Sequence, residues 1–195
     1  MEVSEFDPTI VWFDDALEKD FCKKVIRKFN KDDNTAPGHT AGGYNPDIKQ
    51  SMDLHISRHE HWKEEDGVFF NSLTSHLQEY SDYLRDELGV HCPLDNDTGY
   101  QIQKTKPGGF YHWHHDSMSE DYQHYRTVTF LWYLNTPREG HTEFSCGESI
   151  KPETGKLILF PATWDRGHRG TPPKTMKYIC TGWMFKRDVQ EQEEE

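Results

Sequence analysis

Apolar positions recur along this chain in two rhythms, one in each half. In "DDALEKDFCKKVIRKFNKDD", Leu17, Phe21, Val25 and Phe29 fall at four-residue steps. That is one stripe of an amphipathic helix, with Asp14 or Asp15 as the expected N-cap. "EEDGVFFNSLTSHLQEYSDYLRDEL" is helical by length and by the recurrence of Phe70, Leu73, Leu77, Tyr80 and Leu84. Around these helices, "TIVWF" and "SMDLHIS" read as short strands. "NTAPGHTAGGYNPD" reads as a loop from its Gly, Pro and Asn, and "HISRHEHW" as a solvated loop before the second helix.

After about residue 98 the rhythm changes. "TGYQIQKT", "FYHWHHD", "RTVTFLWYLN", "HTEFSCGESI", "KLILFPA" and "KYICTGWMF" are short β-prone runs. "PGG", "TPREG", "PETG" and "GTPP" punctuate them. Short strands at such intervals predict a sandwich or barrel. The expected fold class is therefore mostly β with N-terminal helices (α+β). One domain covers 1–188, with helical support over about 1–95 and a β core over about 98–187. The acidic tail 189–195 reads as disordered.

Composition narrows the possibilities. Of 195 residues only 33% are hydrophobic but 13% are aromatic, so the core is expected to be built from rings. A net charge of −12 with no basic stripe argues against nucleic acid as a partner. Cys22, Cys92, Cys146 and Cys180 form no C-x-x-C pair. "MEVSEFDP" has no apolar signal core, and no apolar run approaches the ~20 residues of a membrane span. These features lead to the expectation of a soluble, cytoplasmic protein with no membrane partner; oligomeric state is left open.

The chemistry concentrates in "FYHWHHD". On a regular strand, His112 with His114, His114 with Asp116, and Trp113 with His115 share faces. His114 and Asp116 together offer an imidazole nitrogen and a carboxylate. One distant histidine would complete the two-His, one-carboxylate set that leaves metal positions open in non-haem Fe(II) oxygenases. His168, after "KLILFP", is the candidate. Nine residues later Lys177 opens the last strand, sharing a face with Ile179, Thr181 and Trp183. A lysine inside a barrel needs an anion, and a metal-chelating dicarboxylate would supply one.

In that order, "PGGFYHWHHD", "FLWYLNTP", "GHTEFSC", "KPETGKLILFP", "HRGTPP" and "KYICTGW" resemble the 2-oxoglutarate- and Fe(II)-dependent oxygenases of the prolyl 4-hydroxylase type. The resemblance is strong over Tyr100 to Phe185 and looser over "TIVWFDDALEKDFCKKVI". It implies a double-stranded β-helix (jelly-roll, cupin-like) core flanked by helices. It also implies Fe(II), 2-oxoglutarate as cosubstrate and O2, and it allows ascorbate. By resemblance, His114, Asp116 and His168 are the iron ligands and the catalytic centre. Lys177 and Tyr133 hold the distal carboxylate of 2-oxoglutarate, Tyr111 lines the cosubstrate pocket, and Trp183 sits near its floor. Two departures stand out: "ATWDRG" lengthens the run before His168, and "GH" at Gly140 and His141 replaces the commoner G-G.

The implied reaction is hydroxylation of an unactivated C–H bond, with a prolyl residue of a peptide or protein as the favoured substrate. A free amino acid or small molecule is the rival substrate, and a non-catalytic cupin-like metal-binding module is the rival class. "NTAPGHTAGGY" and "SMSEDYQHYR" are candidate covers for a peptide groove. His112, His115, His141 and Glu143 are expected to be bystanders, and Asp165 with Arg166 a local ion pair. Lys174 is the fallback for Lys177.

Overall fold

Two antiparallel sheets form a double-stranded β-helix backed by helices. The computed structural model describes residues 1–94, 96–117 and 124–187. The tail 189–195 and most of "SMSEDYQHYR" lie outside the described residues. In chain order the elements are β1 (Glu2–Val3), β2 (Val11–Phe13), α1 (Lys19–Phe29), β3 (Ala36–Pro37) and β4 (Met52–His55). Two 3-10 turns (Ile56–Arg58, Glu60–Trp62) lead into α2 (Lys63–Leu88). Then come β5 (Asn96–Asp97), β6 (Gln101–Thr105), β7 (Tyr111–His114), β8 (His124–Tyr133) and β9 (Thr142–Phe144). β10 (Ser149–Ile150), β11 (Leu157–Pro161), β12 (His168–Gly170) and β13 (Lys177–Arg187) complete the chain.

The large sheet runs β1-β2-β11-β8-β13-β6-β4-β3, with β5 alongside β13; the small sheet runs β10-β9-β12-β7. The first 95 residues thus give the large sheet four strands as well as two helices.

The continuous apolar runs have a simple cause: the central strands are covered on both faces. On β8, Val128, Phe130 and Trp132 join α1 and α2 in one core. Leu131 and Tyr133 turn the other way, into a second core with Ile10, Phe144, Ile158 and Phe160. Phe69, Tyr100, Phe130 and Trp132 form a ring cluster with centroids 5.3–6.1 Å apart. Such pairs add roughly 0.5–1.5 kcal/mol each beyond burial.

Three expectations need correction. The α2 stripe is Phe69, Leu73, Leu77, Tyr80 and Leu84, whereas Phe70 is 51% exposed. Both phenylalanines lie a helical step from Leu73, and the spacing alone does not separate them. Neither Asp14 nor Asp15 caps α1. The Leu17 amide is tied to the Gly155 carbonyl at 3.1 Å, which holds the chain out of the helix until Lys19. Asp15 has φ 53°, and Asp14 pairs with Lys156 instead at 3.3 Å. "HISRHEHW" is no solvated loop: Ile56 and Trp62 are fully buried, and the Trp62 indole donates to Asp32 at 2.7 Å.

Gly182 marks where β13 meets Gly99 and Phe130 most closely; a Cβ there would collide with the Gly99 carbonyl and the Phe130 ring. Gly182→Ala is expected to lower stability by about 1–3 kcal/mol, read as a reduced urea midpoint with an unchanged slope.

Candidate metal centre

β7 carries one more residue than its partner over the same length. His168 pairs with His114 and Gly170 pairs with Tyr111, so two steps on β12 span three on β7. A bulge of this kind reverses side-chain alternation. Tyr111, not His112, therefore shares the interior face with His114, and their rings stack at 3.5 Å and 18°. His112 is exposed, its ring against Phe110 at 4.5 Å. His115 is also exposed and meets the Ser117 hydroxyl at 2.9 Å through Nδ1.

The direct pairing across β7 and β12 brings two residues more than fifty positions apart into one cluster. Ligand atoms of His114, Asp116 and His168 all lie within 4.8 Å of one another. His114 Nε2 is 3.8 Å from Asp116 Oδ1, and His168 Nε2 is 3.5 Å from Asp116 Oδ2. His114 Nδ1 lies 2.7 Å from the His112 carbonyl and His168 Nδ1 3.2 Å from the Arg166 carbonyl. A carbonyl only accepts, so each Nδ1 carries the hydrogen and each Nε2 offers its lone pair inward. Asp116 Oδ2 accepts from the Thr129 hydroxyl at 3.0 Å.

Electrostatics agree with this arrangement. Burial, then the facing His168, depress the His114 pKa against the pull of Asp116. Burial works to raise the Asp116 pKa, but His168, His114, Trp183 and Arg126 together hold it below the ordinary carboxylate value. Two imidazole nitrogens and a carboxylate, with Phe144 and Phe160 walling His168, suit a divalent transition metal with open positions. Among the described residues this is the one cluster of three such side chains.

The cluster borders a cavity of about 780 Å³. The β13 face predicted from sequence lines it: Lys177, Ile179, Thr181 and Trp183. Lys177 is 6% exposed. Its ammonium donates to the Gly140 carbonyl at 2.6 Å and meets no carboxylate among the described residues. Burial lowers its pKa to about 8. Tyr133 lies beneath it, ring centroid 5.4 Å from Nζ. The Tyr133 hydroxyl is engaged in the core, 2.7 Å from Thr142 Oγ1 and 3.3 Å from the Ile150 carbonyl. Of this network Thr142 lines the cavity, and Tyr133 does not. Trp183 is half-buried, with the Arg126 guanidinium 3.6 Å from its ring.

The remaining candidates lie outside the cluster. Lys174 is exposed and paired with Glu139. Glu143 pairs with Arg169 at 2.7 Å, and His141 meets Ser149 at 3.0 Å. Asp165 pairs with Arg166, which also holds Asp7 at 2.7 Å. Thr129, Thr142 and the Arg166 carbonyl were not legible in the sequence. The one hint is the parity of Thr129 with Leu131 and Tyr133 on β8.

Residues 100–185 match the family model of the 2OG-Fe(II) oxygenase superfamily. No curated protein matches the sequence. Among solved structures, the chain is similar to a Trichoplax adhaerens prolyl hydroxylase in complex with a hypoxia inducible factor oxygen degradation domain peptide fragment. There the TM-score is 0.72 at 19% identity, over 91% of this chain and 83% of that one. A Pseudomonas putida prolyl-4-hydroxylase gives 0.67 at 16%, over 91% and 93%. A viral collagen prolyl hydroxylase of Paramecium Bursaria Chlorella virus-1, in a 2OG complex, gives 0.62 at 21%, over 91% and 96%.

Mn(II), an inert stand-in for a catalytic ion, is expected to raise the melting temperature. At a hundredfold excess over Kd the gain is about 2.7 kcal/mol, at roughly 2–4 °C per kcal/mol for a chain this size. Asp116→Ala and His168→Ala should lose the shift in a thermal melt, and His115→Ala should keep it.

Proposed function

We propose that this chain, prolyl-hydroxylase-like in fold and matching the 2OG-Fe(II) oxygenase model over residues 100–185, is a 2-oxoglutarate-dependent dioxygenase that hydroxylates a prolyl residue in a peptide or protein, releasing succinate and CO2. The observation that carries this reading is the presence in one cavity of His114, Asp116 and His168 with a buried lysine that meets no carboxylate among the described residues.

His114, Asp116 and His168 would hold Fe(II) and leave positions open for the cosubstrate and oxygen. Fe(II) with 2-oxoglutarate supplies the oxygen activation that couples decarboxylation to C–H hydroxylation. The protein's own residues position the reactants. The His112 and Arg166 carbonyls fix the ligand tautomers, and Thr129 orients Asp116. Lys177 would bind the distal carboxylate through a charge-assisted bond, with Thr142 at its side. Phe144, Phe160, Leu131 and Ile179 keep this end of the site dry.

The prolyl assignment draws support from the three similar solved structures, which are prolyl hydroxylases, one of them in complex with a peptide fragment. The cytoplasmic setting belongs to the same proposal and rests on four free cysteines; among the described residues no helix is long and apolar enough to cross a membrane. A peptide library assayed for succinate release tests the substrate. Release stimulated by proline-containing peptides is expected. Stimulation only by free amino acids or other small molecules would contradict the peptide reading.

Lys177 gives the site a pH dependence. Its protonated form is the one that binds the carboxylate, and its value of about 8 in the free protein sets the window. Affinity for 2-oxoglutarate is expected to hold below pH 8 and to fall about tenfold per pH unit well above it. Lys177→Met should be weak at every pH, as read by cosubstrate titration at pH 7 and 9.

A further inference from the structure

A second cavity lies beside the metal cavity. It is a groove of about 690 Å³ bordered by the end of α2, the segment 90–93, the start of β8 and the turn after β11. His115 and Arg126 line both spaces and form the ridge between them. On the metal side the Arg126 guanidinium lies 3.6 Å from the Trp183 ring. His115 directly follows His114, so the groove begins one residue along the chain from the metal cluster.

The groove differs in chemistry from the rest of the surface. Leu84, Val90, Pro93, Pro161 and Trp164 give it apolar walls. Among the described residues no carboxylate lines it, in a chain with 34 aspartates and glutamates. Four of its hydroxyls are already engaged within the chain. Thr127 donates to the Pro93 carbonyl at 2.8 Å, and Tyr80 to the Thr9 carbonyl at 2.7 Å. Thr163 donates to Asp165 at 2.6 Å, and Ser117 meets His115 Nδ1 at 2.9 Å. The walls therefore suit an apolar group better than a charged or main-chain one. Large apolar side chains are nevertheless left in water there: Trp164 is 78% exposed, Tyr125 56% and Val90 44%. Exposed apolar surface gathered in one place marks a binding surface.

We propose that this groove takes an apolar side chain of the peptide substrate, carried a few residues from the one that is hydroxylated, with Trp164 and Tyr125 as its contact rings. The proposal rests on the peptide reading and deepens it. The shared ridge argues for the substrate as occupant, because a molecule held at the metal has only His115 and Arg126 to cross. Each residue of an extended chain advances about 3.3 Å, so a peptide crosses where a free amino acid does not. A second copy of this chain, docked through the same rings, is the competing occupant.

The test uses the full chain and succinate release from capped proline peptides in which each flanking position in turn carries Leu, Phe or Ser. At one position Leu or Phe is expected to lower the KM about tenfold or more relative to Ser, with kcat little changed. In Tyr125→Ser with Trp164→Ser that preference should shrink to within about threefold. The Mn(II) melting shift and the KM for 2-oxoglutarate should stay within about twofold of the parent. Phe70→Ser removes an equally exposed ring from α2 outside the groove and should keep the preference. A KM indifferent to flanking apolar residues would overturn the groove assignment and leave the peptide reading standing. So would a preference that survives in the double variant, or a parent dimer in sedimentation that the double variant loses with peptide KM unchanged. Turnover of free amino acids or other small molecules with no peptide used would overturn the peptide reading itself.

Discussion

The site depends on one backbone register: His168 opposite His114, set by the extra residue in β7. A one-residue slip in a strand pair sends every side chain to the other face. A slip here would put Trp113 or His115 where His114 stands and break the cluster. The register is held from both sides, because β12 also pairs with β9, placing His168 opposite Phe144. The His112 and Arg166 carbonyls then turn both rings so that their Nε2 atoms face Asp116. Two main-chain groups thus do work that no side-chain motif records.

Around that register the interior is split between dry and polar regions. Leu131, Tyr133, Phe144, Ile158 and Phe160 make one end apolar, which makes a buried ammonium at Lys177 costly and an incoming carboxylate favourable. The β4–β6 wall is polar, with Gln103, Gln101 and His55 joined by hydrogen bonds of 2.7 and 2.8 Å. A small dianion suits the first region. The ring cluster lies apart from both regions, where α2 covers the large sheet.

Much of this was legible in the sequence because it is written in local patterns. The β-prone run "RTVTFLWYLN", the shared face of Lys177, Ile179, Thr181 and Trp183, and the candidate ligands all follow from strand parity and motif order. What escaped depended on tertiary contacts. A bulge is visible only against the partner strand, so the parity argument placed His112 beside His114 wrongly. The α1 start is fixed by the contact of Leu17 with Gly155, not by a capping residue. Phe69 and Phe70 fit Leu73 equally by spacing, and packing against Tyr100 and Trp132 separates them. Thr129 and Thr142 lie on strands outside "FYHWHHD", and no single stretch carries their contacts with Asp116 and Tyr133.

The central claim is that His114, Asp116 and His168 form one metal site into which 2-oxoglutarate binds. Mixing the protein anaerobically with Fe(II) and 2-oxoglutarate tests it most directly, because chelation by the keto acid gives a visible metal-to-ligand charge-transfer band. The account predicts the band in the parent protein and in His115→Ala, and its loss in His114→Ala and His168→Ala. No band in the parent, or an undiminished band in His168→Ala, would contradict it.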